Sequence, residues 1–249
     1  MISKLTKAVE REVRVLHQKK YRYQWGCFVV EGTKMVQELA ASGMQPVHWI
    51  GHAQWWTQNS DFQPASGTCW SADTRQLQAI SALKNAPDVL AVARMPDKKP
   101  LPEKNDWMLA LDGIGDPGNA GTLLRLADWF GIQDVLATED TVDVFNPKVV
   151  QASMGAVFRV CVHSMPFNQW PGTFPLWGAV LEGPPLDAAR FTPQGILVIG
   201  SESHGIREPI GKGLHHQVHI PRWGGGESLN AAVSAGIILH SLRAQVPGR

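Results

Sequence analysis

Cysteine is scarce in this sequence, and its pattern excludes two architectures. Cys27, Cys69 and Cys161 are the three cysteines in 249 residues, an odd count with no Cys-x-x-Cys pair. Neither a zinc ribbon nor a disulfide framework is supported, and a reducing, cytoplasmic compartment is expected. No apolar run approaches the roughly 18 residues of a membrane helix, and the N-terminus lacks the charged-then-apolar order of a secretory signal. An excess of one charge sign is also missing: 23 Lys+Arg face 22 Asp+Glu, for a formal net charge of +1. A uniformly basic nucleic-acid-binding protein is thereby excluded. The charge is nevertheless uneven. Residues 1–34 hold eight Lys/Arg and three acids, a local +5 that leaves about −4 for the rest of the chain.

What is present describes a globular α/β protein, 44% hydrophobic and 18% charged. Ten tryptophans are many for this length. Trp49, Trp55, Trp56 and Trp70 share one N-terminal stretch and are expected to pack there. Residues 4–20 read as one helix with Leu5, Val9, Val13 and Leu16 inward and the basic residues outward. Strand-like Cys27–Glu31, helical Lys34–Ala41 with Gly43 as its C-cap, and strand-like Val47–Ile50 follow. We place a small α/β domain at 1–95, a linker rich in proline and mixed charge at 96–106, and a second domain at 107–249. In the second domain apolar runs at Met108–Leu111, Val135–Ala137, Phe158–Val162, Trp177–Leu181, Ile196–Ile199 and Val218–Ile220 alternate with helical patterns. That alternation predicts a mostly parallel sheet covered by helices on both faces. The last helix carries Leu229, Ala232, Val233, Gly236, Ile237 and His240 on one stripe, with small neighbours that permit close approach.

Three glycine-rich loops follow predicted strands, where ligands bind in open α/β sheets. The first runs Asp112-Gly-Ile-Gly-Asp-Pro-Gly-Asn119-Ala-Gly-Thr-Leu-Leu-Arg125, with Asn119 a candidate helix cap and Arg125 two turns further on. It contains Gly113-x-Gly115-x-x-Gly118 but places Pro117 inside that fingerprint, so a dinucleotide site is weakly supported, with Glu139 or Asp140 as the ribose partner it requires. No Gly-Lys-Ser/Thr follows, which excludes a P-loop. The second loop, Gly200-Ser-Glu202-Ser-His-Gly205, is one residue too long for a nucleophile elbow. The third, Ile220-Pro-Arg-Trp-Gly-Gly-Gly-Glu-Ser228-Leu229-Asn230, exposes backbone for close ligand approach, with Ser228 as a candidate cap. His215, His216 and His219 flank a strand without sharing a helix face, and no metal is expected.

The three segments together resemble the SpoU-type (TrmH-like) RNA ribose 2′-O-methyltransferases of the SPOUT superfamily. Asn119-x-Gly121-x-x-x-Arg125-x-Ala127 matches the first motif, Gly200-x-Glu202-x-x-Gly205 the second, and Ile220-Pro221 with Ser228-Leu229-Asn230 the third. Asn146-Pro-Lys148-Val-Val-Gln151 is similar to the linking helix, with Gln151 where arginine is frequent. Lys19-Lys20-Tyr-Arg22 and Gly26-Cys-Phe-Val-Val-Glu31-Gly32 are similar to the substrate-binding domain often fused to this unit. The resemblance implies a C-terminal deep trefoil knot and a homodimer formed through it. It implies S-adenosylmethionine cradled by backbone around Ile199, Gly200, Ile220 and Leu229, and a site built from Asn119, Arg125, Glu202, Ser228 and Asn230. Methyl transfer to a ribose 2′-hydroxyl of rRNA or tRNA is the implied activity, with Lys19, Lys20 and Arg22 contacting RNA. A knotted RNA-binding protein without catalysis is the rival reading.

Overall fold

A computed structural model describes residues 2–101 and 107–247. They form two compact units: the chain up to Asp97 with Phe145–Phe158, and Lys98–Val144 with the chain from Arg159 onward. Residues 102–106 of the expected linker lie outside the described residues.

The first unit begins with β1 (Ile2–Lys4), α1 (Lys7–Val15) and α2 (Lys19–Trp25). The single helix expected over 4–20 is thus a strand and two helices. Thr6 caps α1 by accepting from the Val9 amide at 3.4 Å, and extended Gln18 separates it from α2. Leu5, Val9, Val13 and Leu16 are all buried, as their spacing requires. Three-and-four spacing simply continues through the cap and the turn, so it marks the buried face and not the breaks. There follow β2 (Cys27–Glu31), α3 (Thr33–Ala41), β3 (Pro46–His52), α4 (Ala53–Gln58), β4 (Thr68–Ala72), α5 (Thr74–Ile80) and β5 (Val89–Arg94). The sheet order is β1-β4-β3-β5-β2, with β1, β4 and β3 parallel and β5 antiparallel to both its neighbours. Ser42, in extended geometry, ends α3 in place of Gly43. The tryptophan stretch is core: Trp49 and Trp55 are buried, both pack edge-on against Phe62, and the indoles of Trp49, Trp55, Trp56 and Trp70 each donate a hydrogen bond.

The second unit contains β6 (Trp107–Asp112), α6 (Pro117–Trp129) and β7 (Asp134–Ala137). The next helix, α7 (Pro147–Ser153), belongs to the first unit, where it packs against β2, and Phe28 lies 4.8 Å from Phe145 and 6.3 Å from Phe158 between ring centroids. This corrects the placement of 145–158 in the second domain: its apolar residues are buried on a strand far away in sequence. The chain continues through β8 (Cys161–Ser164), β9 (Leu176–Ala179), β10 (Gly195–Gly200), β11 (His216–Val218) and α8 (Ala231–Gln245). The sheet order is β11-β9-β10-β6-β7-β8, and every pairing is parallel. Central β6 and β10 are buried along almost their whole length, and their register pairs Gly200 with Asp112. Two loops therefore leave the carboxyl ends of the central strands side by side, the usual place for a ligand.

Helix α8 packs on α6, where Leu126 lies 3.5 Å from the position a Cβ on Gly236 would take. Its buried face is Ala231, Ala232, Ala235, Ile238, Leu239 and Leu242. The expected stripe is largely on the other side: Leu229, Val233, Ile237 and His240 are exposed. An apolar helix offers two stripes to a pattern search, and only its neighbours decide which one enters the core.

At the edge of this sheet, His163 Nε2 lies 2.7 Å from Asp134 Oδ1, and the imidazole is buried. Hydrogen bonding to Asp134, then to Cys161, raises its pKa to about 9 against the opposing effect of burial. A raised folded-state pKa contributes stability that is complete below the unfolded value near 6.5 and is lost as pH rises through about 9, here on the order of 3 kcal/mol. His163→Gln is expected to flatten the fall in thermal midpoint across that window; an unchanged slope in the variant refutes the assignment. Asp134, Cys161 and His163 also place one ligand atom each within 4.8 Å of one another. A metal ion bound there would have to displace the imidazole proton.

Candidate functional site

The three glycine-rich loops converge in the second unit through their polar side chains. Asp116 caps α6 by accepting from the Asn119 amide at 2.8 Å, with Pro117 in the first turn. Asn119 is therefore inside that turn and not the cap, which frees its side chain. Asn230 caps α8 in place of Ser228: its Oδ1 accepts from the Ala232 and Val233 amides at 3.0 and 3.2 Å. Committing that oxygen to the helix orients the amide, so Nδ2 faces outward. Asn230 Nδ2 donates to Asn119 Oδ1 and to Glu202 Oε1, both at 2.7 Å, and Asn119 Nδ2 donates to the same Glu202 oxygen at 3.2 Å. Residues 111 positions apart thus meet in one triangle.

Asn230→Asp separates the cap from the triangle. The carboxylate still caps α8, where a negative charge is favoured, but faces Glu202 as a like charge. The activity of the site is expected to fall more than tenfold while the melting temperature falls less than in Asn230→Ala. Equal melting losses in the two variants would show that the cap geometry is not separable.

Beneath the triangle the loop after β10 is anchored from behind. Asp112, fully buried at the end of β6, accepts from the Arg207 amide at 2.7 Å, from Nε at 2.9 Å and from a terminal guanidinium nitrogen. Asp140 receives Arg207 at 2.7 and 3.1 Å, and the guanidinium holds its carboxyl below the usual range. The two carboxylates in turn push the Arg207 pKa further up. A Cβ at Gly200 would collide with the backbone of Gly205 and Ile206, so the loop folds back on the strand only over a glycine. Arg207 and Asp140 line a cleft of about 470 Å³ that also exposes Gly115, Asn119, Glu202, Ser203 and His204. Spacing gave no sign of Asp112 and Arg207, which lie 95 residues apart, and Asp140 is occupied by Arg207, which removes it as a ribose partner. The available signal was an aspartate ending a fully apolar strand, an isolated charge that needs a counter-charge.

Not every expected residue joins the triangle. Arg125 is exposed, two turns along α6, on the same face as Trp129, which is 83% exposed. Ser228 is exposed outside the network. Ile199 is buried in β10 and Gly200 ends that strand, while Ile220 is half-buried and Leu229 exposed. Among the described residues, no main-chain group of residues 220–229 pairs with another main-chain group, and the adjoining His219 Nδ1 is buried without a partner. Such a loop offers donors and acceptors to an adenine edge, so these residues fit S-adenosylmethionine. His215 Nδ1 accepts from the Leu176 amide at 3.1 Å, and His216 stacks on Trp177 at 4.2 Å. In the first unit Lys19 and Lys20 are exposed, but Arg22 is only 2% exposed. Its guanidinium donates to the Leu16 and His17 carbonyls, both at 2.9 Å, closing the end of α1. Arg22 is thus a buried anchor between helices, which corrects its assignment to RNA contact.

The model of the SpoU rRNA Methylase family matches residues 106–240, and that of the MRM3-like substrate binding domain matches residues 10–91. The chain belongs to the SpoU rRNA methylase family. A solved structure described as a putative RNA methyltransferase of the TrmH family from Porphyromonas gingivalis is 33% identical, with a TM-score of 0.84 over 97% of this chain and 99% of that one. The 23S rRNA (guanosine(2553)-2′-O)-methyltransferase RlmP of Bacillus subtilis is 27% identical over 94% of this chain and 95% of its own. The AdoMet complex of the SpoU methyltransferase AviRb from Streptomyces viridochromogenes shares the fold, with a TM-score of 0.84 at 23% identity over 98% of this chain and 100% of that one. In SpoU terms, the triangle joins one side chain from each of the three motifs.

Proposed function

We propose that this protein is an S-adenosylmethionine-dependent methyltransferase acting on a ribose 2′-hydroxyl of structured RNA, rRNA or tRNA. The observation that carries the reading is the Asn119–Glu202–Asn230 triangle, which brings the three family motifs to the carboxyl ends of the central strands. When bound, S-adenosylmethionine would supply a methyl group on a positively charged sulfur. The backbone around Ile199, Gly200, Ile220 and Leu229 would hold it. Asn119, Glu202 and Asn230 orient the site by hydrogen bonds, since alignment is the main demand of an in-line displacement. Ser228, exposed outside that network, is left to meet the incoming substrate. Arg125 clamps the phosphate beside the attacking ribose and stabilises charge there. It does not act as a base, because a guanidinium stays protonated in nearly every setting. The phosphate and solvent assist removal of the hydroxyl proton.

The functional unit in this reading is a cytoplasmic homodimer. Trp129 on α6 and Val233 and Ile237 on α8 are 83%, 51% and 39% exposed, an apolar face on two packed helices. Arg125 shares the Trp129 side of α6, so a second copy covering that face places Arg125 at the subunit junction. Sedimentation that finds only monomer at micromolar concentration would remove this claim. Among the described residues no helix is long and apolar enough to cross a membrane. The C-terminal part forms a deep trefoil knot in this reading. Mechanical extension of the chain from its ends to full contour length would count against the knot.

The deciding experiment is calorimetry with S-adenosylmethionine followed by tritium transfer to RNA from cells lacking the protein. Transfer abolished by prior 2′-O-methylation of the target is the expected result. RNA binding without transfer would leave a non-catalytic binding protein.

A further inference from the structure

We propose that α2 is a stacking platform for unpaired bases, so that the RNA is recruited through a single-stranded segment. This rests on the reading above that the first unit binds RNA. The sequence of α2 is Lys19-Lys-Tyr-Arg-Tyr-Gln-Trp25, in which polar and aromatic residues alternate from Lys20 onward. Arg22 is buried against the end of α1, while Lys19, Lys20, Tyr23 and Trp25 are exposed and Tyr21 is half-buried. Tyr23 is 54% and Trp25 39% exposed. Two lysines accompany the rings: Lys19 Nζ lies 5.8 Å from the centre of Tyr23, and Lys20 Nζ 5.6 Å from that of Tyr21. Tyr21 and Trp25 rings are 5.8 Å apart.

A nucleotide presents one anionic phosphate and one π-face, and α2 presents one ammonium and one ring at each of two positions. That complementarity fits an unstacked strand. It does not fit an A-form duplex, whose base faces are hidden and which is read through phosphates and 2′-hydroxyls. Gly26, left-handed at φ 60°, ends the helix directly after Trp25 and leaves that ring at its terminus.

The test is anisotropy of a labelled ten-nucleotide single-stranded RNA and a duplex of the same length, titrated with the full chain at several salt concentrations. Single-strand binding is expected to weaken about tenfold in Tyr23→Ala and in Trp25→Ala with the salt slope unchanged, and to persist in Tyr23→Phe and Trp25→Phe. The Lys19→Ala/Lys20→Ala variant is expected to make the salt slope shallower by about 1.4, two single-strand phosphate contacts. Unaltered affinity in both alanine ring variants, or tighter binding of the duplex, overturns the stacking proposal even if the lysine variant loses affinity. An unchanged salt slope in the lysine variant overturns instead the assignment of RNA binding to this helix.

Discussion

Arg125→Ala is expected to lower methyl transfer by two to three orders of magnitude while leaving thermal stability nearly unchanged. The side chain is exposed on α6, so its removal creates no cavity and strands no buried partner. The activity loss is the size expected when a preorganised cation that meets charge in the transition state is deleted. Arg125→Lys sharpens the test. An ammonium keeps the charge but not the planar fork, so a bidentate phosphate clamp loses activity in this variant, whereas a purely long-range field does not. Full activity of Arg125→Lys in single-turnover transfer would remove the clamp. Because Arg125 stands apart from the Asn119–Glu202–Asn230 triangle, S-adenosylmethionine affinity measured by calorimetry should be the same in both variants and the wild type.

Arg207→Ala is expected to cost stability instead, about 3–5 kcal/mol, and activity along with it. Asp112 has no exposed surface, and Arg207 supplies its counter-charge. Truncating the arginine leaves a buried carboxylate with only the residue-207 amide, the costly way to break such a pair. It also frees the loop after Gly200, and Glu202 with it. The double variant Arg207→Ala/Asp112→Asn removes the stranded charge and is expected to recover part of the loss in urea unfolding. Additive losses in the two single variants would show that the pair is not coupled. Asp140 contributes less, since its side chain is 55% exposed and screened by water.

Short-range chemistry was legible before any coordinates. Glycines at strand ends, the apolar strands of a parallel sheet, and the order of Asn119, Glu202 and Asn230 are local signals. The buried face of α1 was legible for the same reason, since the spacing of Leu5, Val9, Val13 and Leu16 is a property of a few turns. The family resemblance then joined three weak loops into one expectation, and the matched family supports it.

Where several local solutions were equally good, the pattern could not choose among them. Ser228 and Asn230 are both competent caps, and Asn230 takes the place because α8 starts at Ala231. Lys19, Lys20 and Arg22 are all cationic, yet one of them is inside. Arg22 can be buried because the end of α1 offers two carbonyls at the right distance, and no property of the heptapeptide records that.

The sequence by itself thus determined the class of fold, the three motif loops and the basic N-terminal module inside a chain of almost zero net charge. Tertiary structure alone decided the pairing of Asp112 with Arg207, the transfer of 145–158 to the first unit, and which face of α8 stays exposed. The physical reason is common to all three. Periodicity and capping are set by neighbours within a few residues, whereas a buried charge, a docked helix and an exposed stripe depend on strands brought together from distant parts of the chain.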